Sequence, residues 1–121
     1  MNKLQFVFTI MIALISVCAS GKNVVVDDRM SSKTINEKLV ALQGGDTLLL
    51  KKGYYHVNLK LINKTGVQDK PIVIRGEDRV HTIIDGGAPK PGSDLMNYGI
   101  YIENSSWITI DNLSFKNCWI D

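Results

Sequence analysis

The feature that most constrains this chain is a three-residue motif that recurs five times in its second half. Each copy sets an apolar residue, then a charged one, then Gly or Asn. The copies are Ile74-Arg75-Gly76, Ile84-Asp85-Gly86, Ile102-Glu103-Asn104, Ile110-Asp111-Asn112 and Phe115-Lys116-Asn117. Gly and Asn enter left-handed backbone conformation at the least cost, so each copy predicts a short strand ended by a sharp corner. Strands that stop every few residues, with no helix between them, predict a chain wound into a coil of parallel strands. Such a solenoid offers a long lateral groove, better matched to a polymer than to a small molecule.

Apolar positions correspond at intervals of about 25 residues, which aligns Leu48 with Ile72, Ile83 with Ile108 and, at the corners, Asp85 with Asp111. Ile and Val would then stack on their own kind as interior ladders. An antiparallel sandwich also has short strands at close spacing. Its strands turn through two-residue hairpins, however, whereas these runs end at single-residue corners. Strand-like runs begin with Val24-Val25-Val26 and continue from Thr47 onward, and the Gly- and Pro-rich stretch from Gly86 to Asp94 reads as a loop bulging from the coil. The one helical candidate is Ser31 to Leu42, where Ile35, Leu39 and Leu42 share a face and Thr34 with Glu37 forms a capping box. Gln43-Gly44-Gly45-Asp46 stops it. A lone amphipathic helix needs something to cover, and the open end of a coil is such a target.

The first 19 residues read as a separate unit. Met1-Asn2-Lys3 is a short basic start, Leu4 to Val17 is almost wholly apolar, and Ala19-Ser20-Gly21 is small. That is the layout of a secretory signal peptide with cleavage after Ala19, and it predicts an exported protein, secreted or periplasmic. About 14 apolar residues fall short of the roughly 20 that a membrane span requires. Ile15-Ser16-Val17-Cys18 resembles a lipoprotein box, which gives a lipid anchor at Cys18 as the second alternative. Val17 is bulkier than the small residue that pattern wants before the Cys. Cys118 is the only other cysteine, so no internal disulfide is expected after processing. The processed chain is near neutral, which argues against a nucleic-acid surface. The expected organisation is a signal peptide over 1–19, an N-terminal strand and capping helix over 20–46, and the first coils over 47–121.

Several stretches resemble a known superfamily. Gly45-Asp46-Thr47-Leu48-Leu49-Leu50-Lys51-Lys52-Gly53-Tyr54-Tyr55 is similar to the opening of pectate-lyase-like right-handed parallel β-helix proteins. Lys70-Pro71-Ile72-Val73-Ile74-Arg75-Gly76-Glu77 resembles their next turn, while Ile83 to Gly86 and Trp107 to Asn117 resemble later rungs. The resemblance runs over about residues 24–121. It implies an all-β, right-handed parallel β-helix with an N-terminal capping helix over 34–42. It further implies an exported protein acting on extracellular, acidic polysaccharide, of the lyase type. The superfamily also contains non-catalytic carbohydrate-binding and surface modules, and a truncated, inactive product is a third alternative. On this resemblance the 47–121 region is expected to continue into further rungs, with catalytic groups nearer the middle of the coil. Residues 20–121 alone are then expected to be poorly soluble or oligomeric.

Elimination on a uronate needs a cation to neutralise the carboxylate, a base for the C5 proton and a donor to the leaving oxygen. Candidate bases are Arg75 and Lys116, both placed just before corners, where side chains commonly face solvent. Candidate calcium ligands are Asp85, Asp111 and Asp121, though their spacing is wide, and Asp85 and Asp111 read as turn formers. Calcium belongs to a full-length lyase in this reading, and the chain itself predicts no cofactor. His56 and His81 lack partners at zinc spacing. Tyr54, Tyr55, Tyr98, Tyr101 and Trp107 are candidates for stacking on sugar rings, against the commoner role of packing. Asn63-Lys64-Thr65, Asn104-Ser105-Ser106 and Asn112-Leu113-Ser114 match the glycosylation sequon without further support. No catalytic residue is assigned by the sequence.

Overall fold

The computed structural model describes residues 21–87 and 98–118. Its elements in chain order are β1 (Asn23–Val26), α1 (Ser32–Val40), β2 (Thr47–Leu50), β3 (Gly53–Tyr55), β4 (Leu59–Ile62), β5 (Ile72–Gly76), β6 (Thr82–Asp85), β7 (Ile100–Glu103), β8 (Ile108–Asp111) and β9 (Ser114–Lys116). They form three sheets, in the orders β1-β2-β5-β8, β3-β6-β9 and β4-β7. Every pairing between these strands is parallel. The chain visits the first, second and third sheets in turn and then returns to the first. That is a parallel β-helix, as the corner motif predicts, and the handedness rule for parallel crossovers gives it a right-handed winding.

Stacking follows from alternation. In β2, β4 and β5 the inward positions are buried while the residues between them are partly or fully exposed. Register then sets like on like. Val24, Leu48, Ile74 and Ile110 run as one ladder, Leu59 lies beside Ile100, and Tyr55 lies beside Ile84, which meets Phe115. Each fully buried Leu or Ile in such a ladder contributes about 1.5–3 kcal/mol of transfer free energy.

The expected ladders are correct in kind and wrong in register. Leu48 sits beside Ile74 rather than Ile72, and Ile83 lies between Tyr54 and Ser114 rather than beside Ile108. Asp85 pairs with Lys116, and Asp111 with Arg75. A single period fails because the coils lengthen. Thr47 lies 24 residues after its partner Asn23, but Ile108 lies 36 after Ile72 and Ile100 lies 41 after Leu59. The extra residues enter between sheets, so the stack absorbs them without slipping.

The corners divide into two kinds. Asn63, Asn104, Asn112 and Asn117 all take left-handed φ, from 45° to 56°. The glycine-ended copies behave differently. Gly76 belongs to β5, where a Cβ would meet the Asn112 carbonyl oxygen at 2.2 Å, so it is needed for close approach rather than for a left-handed turn. After β6 the positive φ falls on Gly87, not Gly86.

The helix lies within the expected Ser31–Leu42 stretch, but its cap is not Thr34. Ser31 is its N-cap, with Oγ accepting from the Thr34 amide at 3.1 Å, so Thr34 lies inside the helix and the Thr34–Glu37 box does not form. Ile35, Leu39 and Leu42 are fully buried, as their spacing predicts. The helix lies against β4, the first strand of the third sheet. Asn36 donates from Nδ2 to the Asn58 carbonyl at 2.8 Å and accepts at Oδ1 from the Lys60 amide at 2.9 Å. Its amide thereby takes the place of a peptide unit of a preceding strand.

Candidate functional site

Two places on the coil gather polar and aromatic groups. The first is the corner between the second and third sheets. Asp85, 7% exposed, accepts there from the Tyr54 hydroxyl, from the Gly87 amide at 2.8 Å and from Asn117 Nδ2 at 3.2 Å. These donors hold its carboxyl below the usual carboxylate range, Tyr54 being the main cause, and the same bond raises the Tyr54 hydroxyl. His56 lies against the Tyr54 ring at 4.9 Å, and Lys116 Nζ stands 5.9 Å from its centroid. Beside this cluster is a cleft of about 200 Å³ bordered by Ser32, His56, Asn58 and Gly86. Ligand pockets for small molecules run from about 300 to 1,000 Å³, so this one is too small for a sugar polymer. With three donors already on its carboxylate, Asp85 ties the corner together.

The second place is the outward face of the third sheet. Alternation in β4 buries Leu59 and Leu61 and exposes Lys60 and Ile62. The register sets Lys60 beside Tyr101 and Ile62 beside Glu103. The Tyr101 hydroxyl donates to Glu103 Oε2 at 2.6 Å, and Tyr98 packs at 5.3 Å and 38° to the Tyr101 ring. The Glu103 carboxylate raises the Tyr101 hydroxyl pKa. The result is an open aromatic surface with Lys60 on the neighbouring strand and the Glu103 carboxylate held on the Tyr101 hydroxyl. Such a surface suits an extended anionic saccharide, through ring stacking and charge attraction.

The other candidates scatter. Arg75 forks onto Asp111, Nε to Oδ1 at 2.9 Å and a terminal nitrogen to Oδ2 at 3.0 Å. That pairing raises the Arg75 pKa further, so the guanidinium is a fixed cation. Asp111 thus serves a cross-strand ion pair, where a turn-forming role was expected. Lys116 lies over Tyr54 on the second sheet. Asp85 and Asp111 are on different sheets, and among the described residues no group of three His, Cys, Asp or Glu side chains converges as a metal site would. Asp121, Cys18, Trp119, Ile120 and the signal peptide lie outside the described residues, as does most of the loop expected over 86–94. His81 is exposed and pairs with Asp78 at 3.0 Å. Tyr55 is a core residue whose hydroxyl donates to the Lys51 carbonyl at 2.6 Å. Cys118 is a free, partly buried thiol. The alternation of β4 was visible in the sequence, but Lys60 was not singled out, because its neighbour Tyr101 lies 41 residues away.

Three stacks of parallel strands, wound in turn by one chain, define a parallel β-helix. Residues 29–117 match the family model of chondroitinase B, and the chain belongs to that family of parallel β-helix polysaccharide lyases. No curated protein sequence matches it significantly. Among the described residues no helix is long and apolar enough to cross a membrane.

Proposed function

We propose that this chain belongs to an exported β-helix protein that engages an acidic, uronate-containing polysaccharide along the outward face of its third sheet. The observation that carries this reading is the juxtaposition of Lys60 with the Tyr98–Tyr101 pair in a chain of lyase family. Lys60 would neutralise a carboxylate or sulfate, and the rings would meet the apolar side of a sugar. Residues 1–19 would direct export and then be removed.

In this reading the described groups serve binding. Arg75 is held as a cation by Asp111, and the Asp85 carboxylate is engaged by three donors. That favours, as a second reading, a carbohydrate-binding β-helix module with no elimination activity of its own. Calcium, as in a full-length lyase, is not assigned to these side chains. Binding to immobilised chondroitin sulfate tests the first reading, with Lys60→Gln expected to weaken retention about threefold to tenfold at low salt and less at high salt. Retention that ignores both salt and Lys60 would count against it. Appearance of unsaturated uronate absorbance during incubation separates lyase from binding module.

A further inference from the structure

Five described non-glycine residues have left-handed backbone; four are the corner asparagines and the fifth is Trp107, with φ 54°. Asparagine enters this region readily, whereas a bulky side chain there is an outlier. The conformation is held from both sides. The Ser106 amide donates to the Lys64 carbonyl at 3.1 Å, and the Ser106 carbonyl accepts from the Gly66 amide at 3.0 Å. The Trp107 carbonyl accepts from the Ile72 amide at 3.0 Å. Gly66 makes room for it, since a Cβ there would lie 2.6 Å from the Trp107 oxygen. Strain of this kind persists only where the surroundings over-determine it, and it gathers at ligand sites.

The indole so held is 50% exposed and absent from the core. Close to it in the chain and on the coil below is a rim of amides and hydroxyls. Asn104 Nδ2 donates to Asn63 Oδ1 at 2.6 Å, and the Ser106 and Thr65 hydroxyls lie 3.4 Å apart. An exposed aromatic side chain with neutral hydrogen-bonding groups on neighbouring residues suits a pyranose ring, whose C–H face is apolar and whose edge carries hydroxyls.

We propose that Trp107 forms a saccharide-stacking subsite at the corner between the third and first sheets, taking one pyranose ring of the polymer. The proposal rests on the polysaccharide reading above and extends it beyond the end of β7. The test is calorimetric binding of a chondroitin sulfate hexasaccharide and an alginate hexasaccharide to the full chain as wild type, Trp107→Gly and Lys60→Gln. Trp107→Gly relieves the left-handed strain, so its melting temperature should equal or exceed the wild type's while affinity falls about tenfold. That loss should persist at high salt, where the Lys60 effect fades. Unchanged affinity in Trp107→Gly, with weakened binding in Lys60→Gln, would overturn the stacking subsite and leave the polysaccharide reading standing. A wild type that binds neither oligosaccharide overturns both. A Trp107→Gly chain that melts well below the wild type, with fold and affinity both recovered in Trp107→Asn, assigns the side chain to packing and also overturns the proposal.

Discussion

Asp46, Asp78 and Asp85 are each held by amide or hydroxyl donors, and all three carboxyls lie below their ordinary pKa. The leading donors are the Lys22 amide for Asp46, the His81 amide for Asp78 and the Tyr54 hydroxyl for Asp85. A carboxyl depressed by folding stabilises the native state above its unfolded pKa, and that stability is lost as pH falls through the folded value. The melting temperature should therefore hold from neutrality down to about pH 4 and fall below it. Asp46→Asn should flatten that fall, and a melting temperature independent of pH below 4 would contradict the assignment. The Arg75–Asp111 pair is half-exposed, so Arg75→Gln is expected to shift denaturant stability by less than about 1 kcal/mol. At this scale the sequence was readable only locally. Asp85 beside Gly86-Gly87 announces a turn, and it does accept from Gly87. Its strongest partner, Tyr54, lies 31 residues away, and no local pattern points to it.

Helix α1 shows what short-range rules capture at the scale of elements. The buried face of Ile35, Leu39 and Leu42 was legible because spacing alone specifies it. The cap was misplaced by a competing pattern, since Ser31 and Thr34 both fit the N-cap preference and only the folded chain decides which hydroxyl reaches an amide. Asn36 was illegible. Mid-helix asparagine is merely a poor helix former until β4 is seen beside it. Its two bonds to that strand predict that Asn36→Ala costs about 1–2 kcal/mol by urea denaturation. Asn36→Asp should cost more, because it sets a carboxylate against the Asn58 carbonyl. The strands were legible as corners and alternation, while their pairing was not, because coil length varies with what is inserted between sheets.

Across the whole molecule the two ends of the stack differ. At one end α1 and Asn36 occupy the first edge of the third sheet. At the other, β7, β8 and β9 present inward-type positions to solvent, with Ile102 45% and Phe115 47% exposed, although their ladder partners Leu61 and Ile84 are fully buried. The same substitution should therefore weigh differently along one ladder. Ile74→Ala is expected to cost about 2–5 kcal/mol and Ile110→Ala clearly less, as checked by denaturant midpoints. The asymmetry has a temporal side. With α1 on the first edge of the third sheet, that sheet can add strands only from β4 toward β7, and α1 precedes both in the chain. Synthesis therefore delivers the pieces in the order in which they can be laid down, so the third sheet can assemble from its covered edge.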